Sequence, residues 1–161
     1  MSAAHWHLLL NHVPVLGTIF GALLLLAALI LRNGTLVRTS LTVFVIAAIA
    51  TIPVYLTGGG AEEIVEGGPG VSSESLMVQH ARFGLIASIA VAVLGLLSLG
   101  AIWGARGKSA IPSWIGPSVL IVALVVSGLF AWTATLGGQI NHPEIRDGAA
   151  IESQEQGENE E

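Results

Sequence analysis

The sequence contains no cysteine and few charged residues. Of its 161 residues, 11% are Asp, Glu, Lys or Arg, whereas 53% are hydrophobic. The absence of cysteine excludes disulfides, iron–sulfur clusters, zinc ribbons and a covalently attached c-type haem. Soluble domains carry about 25% charged residues, so this composition excludes a soluble globular enzyme and a disordered chain. Six basic residues against 11 acidic ones also exclude the basic face of a nucleic-acid-binding protein.

Four long stretches of the chain carry no charge at all. These stretches are 13–31, 39–61, 83–105 and 109–143. A helix of about 20 apolar residues crosses the ~30 Å hydrocarbon core of a bilayer, and each stretch is apolar around its whole circumference. The sequence therefore predicts an all-α, four-helix transmembrane bundle. We expect its helices near residues 10–31, 38–57, 79–104 and 113–137.

The chain divides into a membrane domain, residues 1–143, and an acidic tail, residues 144–161. Its composition predicts that the tail is disordered and solvated. A second interpretation of the tail is a docking segment for a basic partner such as a soluble cytochrome, which it would attract electrostatically.

The charged residues predict the orientation of the helices. Arg32 and Arg38 flank the first short turn, and Arg106 and Lys108 lie in the second, so one side carries a charge of +4. The opposite side holds all 11 acidic residues and two arginines, a net charge of −9. By the positive-inside rule the basic turns are cytoplasmic. Both termini are then predicted on the outer, periplasmic side of a bacterial inner membrane (N-out/C-out).

All five histidines fall on the predicted outer side. They are His5, His7 and His12 at the start of the first helix, His80 at the start of the third, and His142 after the fourth. Imidazole is the commonest metal ligand in proteins, and two imidazoles from different helices can hold a haem iron between them. The first choice of axial pair is His12 and His80, with His7 and His142 as a second pair or as supporting partners. The alternative is that these histidines bond to lipid headgroups or to backbone carbonyls.

Small residues beside the histidines favour either a cofactor pocket or close helix contacts. Pro14, Gly17 and Gly84 would shape a haem pocket in the first case, while the second is common for glycine in membrane helices. Gly58–Gly60 predict a break after the second helix.

The acidic residues after this break give a weak alternative metal site. Glu62 and Glu63, together with the histidines, could bind non-haem iron, copper or zinc. The simpler interpretation of these glutamates is solvated charge.

The segment His7-Leu-Leu-Leu-Asn-His12-Val-Pro14 resembles the His-x4-His-x-Pro opening of a family of small bacterial four-helix membrane proteins of unknown function. His80, and the ending Gly137-Gly-Gln-Ile-Asn-His142, are similar to the same family pattern. The resemblance spans residues 5–146 and implies a b-type haem with a redox role, with His7, His12, His80 and His142 as candidate ligands. Some relatives resemble fusions to Rieske-type iron–sulfur domains. This chain has no such domain, so a redox partner would be a separate protein.

Three functions follow as hypotheses. The first is a membrane protein that binds haem b and transfers electrons near the periplasmic face, with quinol, a cytochrome or a larger membrane redox complex as its partner. The second is a non-catalytic accessory subunit of a larger membrane complex, without a cofactor. The third is a non-haem metal-binding protein. The predicted spans contain no charged residue, which argues against a pump, channel or transporter, and the sequence leaves open whether the protein is an enzyme.

Overall fold

The computed structural model describes residues 2–66, 74–107, 111–142 and 145–146. Within these ranges the chain forms helices and no strand, which confirms the predicted all-α fold. The helices are α1 (Ala3–Leu10), α2 (His12–Ile30), α3 (Gly34–Glu66), α4 (Glu74–Gly104) and α5 (Ile115–Asn141).

Four segments are long and apolar enough to cross a membrane, as the sequence predicts. They are Ala3–Ile30, Gly34–Gly60, Ser75–Gly104 and Ile115–Ile140, with a mean hydropathy of 2.0 to 2.5 over 18 residues. Only 28–33% of each such stretch is buried inside the chain. Large apolar side chains such as Ile30 and Leu56 are more than 70% exposed. In water this exposure would be unfavourable, whereas in a bilayer these side chains contact lipid.

The helices form a ring in which each packs against the next. α2 packs on α3, α3 on α4, α4 on α5, and α5 closes on α2, while the short α1 lies mainly against α3. This order places α2 diagonally opposite α4. The centre is filled by fully buried apolar side chains, among them Leu25, Phe44, Val91 and Leu94. The core therefore runs along the axis of the bundle.

The first predicted helix, 10–31, is two helices that meet at Asn11. Pro14 lies in the first turn of α2, where proline is tolerated because the N–H groups there lack helical partners anyway. Its missing N–H leaves the carbonyl of Leu10 without the usual helical donor, so the helix is interrupted at Asn11, although the backbone there keeps helical angles (φ −59°, ψ −27°). Ser2 begins α1, since its side-chain oxygen accepts a hydrogen bond from the backbone N–H of His5.

The predicted break at Gly58–Gly60 is wrong, because α3 continues through these glycines to Glu66. The glycines instead permit the close approach of α1. A Cβ atom on Gly60 would lie 2.8 Å from the Cβ atom of Ala3. α3 also continues through Pro53, and the hydroxyl of Thr57 donates to the Pro53 carbonyl over 2.8 Å.

The remaining boundaries differ by a few residues. α4 begins at Glu74 instead of 79, and α5 runs over Ile115–Asn141 instead of 113–137. The predicted disordered tail lies outside the described residues, except for Ile145 and Arg146. Arg146 folds back on the end of α5, where its Nε atom donates to the carbonyl of Gln139 over 2.8 Å.

The two short turns lie at the same end of the bundle. In the first turn the side chain of Asn33 accepts hydrogen bonds from the N–H groups of Thr35 and Leu36, which begins α3. Arg38 links the two hairpins, since its Nη2 atom donates to the carbonyl of Ala105 over 3.3 Å. The guanidinium of Arg106 stacks on the ring of Trp103 at 4.0 Å. Three of the four basic residues of the predicted cluster, Arg32, Arg38 and Arg106, thus lie at one end of the fold, while Lys108 lies outside the described residues.

Candidate functional site

The histidines lie at the end of the bundle opposite the two turns. His5 and His7 belong to α1, His12 begins α2, His80 is in the second turn of α4, and His142 follows α5. The antiparallel packing of the helices brings these segments to one end, which is the arrangement expected from the sequence. The individual histidines differ in burial and in hydrogen bonding.

The imidazole of His7 crosses from α1 to α3. It is half-buried, and its Nδ1 atom lies 3.0 Å from the carbonyl oxygen of Val54. The ring rests over Gly58, where a Cβ atom would lie 3.6 Å from the imidazole Cε1 atom. A residue of the first span is thereby joined to a residue 47 positions later.

The imidazole of His80 links α4 to α5 in the same way. It is half-buried, and its Nδ1 atom lies 3.0 Å from the carbonyl oxygen of Thr133. The ring packs directly on Gly137, where a Cβ atom would lie 3.0 Å from Cε1 and 3.3 Å from Nδ1. A side chain at this position would require the imidazole to move by a few tenths of an ångström.

These hydrogen bonds determine the tautomer of both rings. A carbonyl oxygen can only accept, so Nδ1 of His7 and of His80 must carry the proton. In the neutral ring the lone pair is then on Nε2, the atom that binds a metal when Nδ1–H is held by a carbonyl. Each ring is oriented by a backbone carbonyl of another helix. This is the bonding that the alternative to a metal-ligand role predicts, and it is equally the bonding that a ligand imidazole makes through its second nitrogen.

The other three histidines are exposed and are held less firmly. Nδ1 of His12 lies 3.0 Å from the carbonyl of Leu8, one turn back along its own chain segment. Nδ1 of His5 lies 2.7 Å from the hydroxyl of Ser2, which can donate or accept, so its tautomer is not determined. His142 ends α5, and its backbone N–H donates to the carbonyl of Gly138 over 3.0 Å.

The residues predicted to shape a pocket lie in helix contacts. Pro14 is fully buried. A Cβ atom on Gly17 would lie 3.3 Å from the Cβ atom of Ala47, and one on Gly84 would lie 3.9 Å from Cγ2 of Thr133. These positions agree with the second interpretation of the small residues, close packing between helices.

Asn11 is a polar residue of this end that the sequence analysis missed. Its Oδ1 atom is buried, and within the described part of the chain it has no hydrogen-bond partner. Asn11 follows His7 by four residues and so lies on the same face, one turn deeper. The signal was available, because an amide side chain inside an apolar segment is costly unless it is hydrogen-bonded.

The proposed carboxylate ligands lie at the end of α3. The backbone of Glu62 and Glu63 is helical, whereas their side chains lie outside the described part of the structure. Among the side chains that are described, no three His, Asp or Glu residues come close enough to hold a metal ion together. A non-haem site that uses these glutamates stays a prediction.

An aromatic pair lies beneath His80. The rings of Phe83 and Trp132 meet edge to face, with centroids 6.2 Å apart and an interplanar angle of 76°. This geometry is favourable for aromatic packing, and it joins α4 to α5 next to the carbonyl of Thr133. Trp132 therefore packs between α4 and α5, close to the histidine layer.

Comparison with known proteins does not identify a relative. No protein-family model matches the sequence, and no curated protein or solved structure resembles it at a significant level.

Proposed function

We propose that the protein is a multi-pass protein of the bacterial inner membrane that binds b-type haem at its histidine-bearing end and transfers single electrons there. The observation that carries this proposal is the hydrogen bond from Nδ1 of His7 and of His80 to a carbonyl of a neighbouring helix. Metal-binding histidines almost always donate their other ring N–H in this way, which fixes the ring orientation and makes the ligating nitrogen more basic.

The residues present fit a haem in their chemistry. His7, His12 and His80 each donate Nδ1–H to a backbone carbonyl, which suits Nε2 to bind iron. The buried and unpartnered Oδ1 atom of Asn11 supports a further polar group or water in the layer below His7. When bound, the haem would supply one-electron redox chemistry. The protein's own part is to orient the imidazoles and to surround them with apolar helices.

The proposed topology places the histidines on the periplasmic side. The basic turns at the other end would face the cytoplasm, and both chain termini would lie outside. At the periplasmic membrane surface, electrons would come from quinol in the bilayer or from a haem protein, and would leave to a soluble or membrane-bound cytochrome.

This topology has a direct test, because the chain has no cysteine to give background labelling. Ser2→Cys and Asn33→Cys place single thiols at opposite ends of the bundle. In intact spheroplasts, a membrane-impermeant maleimide should label the variant at position 2 and leave the variant at position 33 unlabelled until the membrane is broken. The reverse pattern would overturn the orientation.

Absorbance spectroscopy tests haem binding itself. Protein purified in detergent, with haemin added if necessary, should show a Soret band and, after dithionite reduction, an α band. His5→Ala is the matched control, since His5 is exposed and its ring nitrogen bonds to the hydroxyl of Ser2 at the start of its own helix. The double variant His7→Ala/His80→Ala should lose the bands, whereas His5→Ala should keep them. Wild-type protein that shows no bands and binds no haemin would refute the proposal.

A second candidate function is that of an accessory subunit in a larger membrane complex. The observation that favours it is an exposed pair of glycines on α4, Gly100 and Gly104, with no atom within 4 Å of their Cβ positions. Small residues at this spacing allow close contact with a helix of another protein. If a complex co-purifies, is lost with Gly100→Leu, and survives His7→Ala, the accessory function is favoured over haem binding.

A further inference from the structure

The burial pattern shows that the two halves of the chain share one architecture. Six residues of α2 are buried, namely Pro14, Thr18, Gly21, Ala22, Leu25 and Ala28. Adding 73 to each number gives Ala87, Val91, Leu94, Gly95, Ser98 and Ala101, and all six of these α4 residues are buried as well. The side chains differ at most of these pairs, so the repeat lies in the packing positions and is hardly visible in the sequence.

The second helix of each half follows the same rule. Four of the five described buried residues of α3 (Ser40, Phe44, Ala47 and Thr51) become, on adding 79, buried residues of α5 (Val119, Ala123, Val126 and Phe130), while the fifth, Leu41, corresponds to the half-buried Leu120. The helix contacts agree, because α2 on α3 matches α4 on α5, and α3 on α4 matches α5 on α2. Each half has two spans and starts at the same end, so the halves are parallel repeats about an axis along the bundle.

The two histidines whose rings bond to a carbonyl of another helix, called here the anchored histidines, occupy equivalent positions in the repeat. His7 plus 73 is His80, while Val54 and Gly58 plus 79 are Thr133 and Gly137. Each half thus contains the same unit. It consists of an imidazole on the first helix, the carbonyl on the second helix that lies within hydrogen-bond distance of Nδ1, and a glycine one turn beyond that carbonyl. By the same shift His12 corresponds to Leu85, an exposed apolar residue.

Both anchored histidines belong to the buried seam of their helices. In α4 the seam recurs at alternating spacings of three and four residues, the pattern of helix faces that meet at a core. Its members are Met77, His80, Gly84, Ala87, Val91, Leu94, Ser98 and Ala101. His7 has the position equivalent to His80 in the first half, where the seam continues with Asn11, Pro14 and Thr18. His12 lies off the seam and is exposed.

We infer that His7 and His80 are the two matched halves of a single imidazole site on the axis that relates the repeats, and that Gly137 is the positioning residue of the His80 ring. That the bound group is a haem iron rests on the proposed function. The pair replaces His12 and His80, the first choice from the sequence, because His7 and His80 are related by the repeat and lie on the seam, whereas His12 lies off the seam and is exposed. One chain then holds one group through two equivalent imidazoles.

The glycines make the inference testable without any cofactor. In protein labelled with ¹⁵N-histidine, each of the two rings should show the Nδ1–H neutral tautomer by NMR, and His7→Ala and His80→Ala assign the signals. Gly137→Ala should shift or weaken the Nδ1–H signal of His80, because its Cβ would lie 3.0 Å from Cε1 and the ring must move by a few tenths of an ångström. The matched control is Gly128→Ala, also in α5, with no atom within 4 Å. Gly58→Ala should leave His7 in place, since 3.6 Å is an ordinary contact.

Haemin titration then tests the pairing. His7→Ala and His80→Ala should each weaken binding by at least about tenfold, with a changed Soret band, whereas His12→Ala should bind within about twofold of wild type, and the wild-type ratio should be one haem per chain. Gly137→Ala should weaken haemin binding, because the same substitution displaces the His80 ring and alters its Nδ1–H signal.

The possible failures are distinguishable. An Nε2–H tautomer in either ring, or a His80 signal unchanged by Gly137→Ala, would overturn the positioning part with or without haem. Haem binding that requires His12 and not His7, or two haems per chain, would overturn the pairing and leave the proposed function standing. Intact tautomers in a protein that binds no haem would refute the proposed function and the haem pairing, while the repeated imidazole unit would stand.

Discussion

Gly95 is the position at which the packing of the bundle makes its sharpest prediction. It lies on α4, and a Cβ atom added there would be 2.5 Å from the Cβ atom of Ala48 on α3. Real Cβ atoms essentially never approach a neighbour within 3.0 Å, and ordinary contacts begin at 3.4 Å, so the separation of 2.5 Å is too short by either measure. Both are Cβ atoms whose positions are set by the backbone, so no change of rotamer relieves the clash. Gly95→Ala must therefore push α3 and α4 apart.

The size of the effect follows from two opposing terms. Overpacking a well-packed core costs about 1–3 kcal/mol, whereas replacing glycine by alanine in a helix stabilises by about 0.4–1 kcal/mol through the unfolded state. Gly100→Ala, on the same helix, should show only the stabilisation from replacing glycine by alanine, since no atom lies within 4 Å of its Cβ position. The free energy of unfolding of the two variants should therefore differ by the overpacking term, about 1–3 kcal/mol.

The assay is unfolding of the purified protein in detergent by increasing amounts of SDS, followed by circular dichroism. Gly100→Ala should unfold at or above the wild-type midpoint, and Gly95→Ala below it. Equal midpoints for the two variants, or a higher midpoint for Gly95→Ala, would refute the contact between α3 and α4.

Two further predictions use the same unfolding assay. Leu94→Ala should lower the free energy of unfolding by about 2–5 kcal/mol because Leu94 is fully buried. Leu96→Ala should stay within about 0.5 kcal/mol of wild type because Leu96 is 68% exposed on the lipid side. Equal losses in the two variants would contradict the assigned core. Ser98→Ala should leave stability unchanged or raise it by up to about 1 kcal/mol, since the buried Ser98 hydroxyl has no partner in the described part of the chain; a clear loss would mean that the hydroxyl is hydrogen-bonded after all.

Much of the fold could be predicted because a bilayer imposes a simple rule on the sequence. A segment without charges and about 20 residues long can only span as a helix, so four such segments predict four helices. The boundaries were less predictable. α3 continues through Gly58–Gly60 because α1 packs on that surface, and this contact joins parts of the chain that are far apart in sequence.

The candidate site shows the same division. Five histidines at predicted outer ends indicate a shared region, but the sequence contains no signal that ranks His7 above His12. The ranking depends on which side of the helix faces the core, and His7 lies on the side that continues into the buried Pro14 and Thr18, whereas His12 does not. Small and apolar residues fill both helix surfaces in a membrane protein, so a hydrophobic pattern cannot distinguish the two sides.

By itself, the sequence determined the class of protein, the number of spans and the end of the bundle on which the histidines lie, because charge and hydropathy are local properties. Only the tertiary structure decided which imidazoles are anchored. The hydrogen bonds of His7 and His80 reach across 47 and 53 residues to carbonyls of other helices, and backbone carbonyls are the same in every residue type. The role of the glycines beneath the rings is likewise visible only in the tertiary structure, because it depends on the imidazole that packs against each of them.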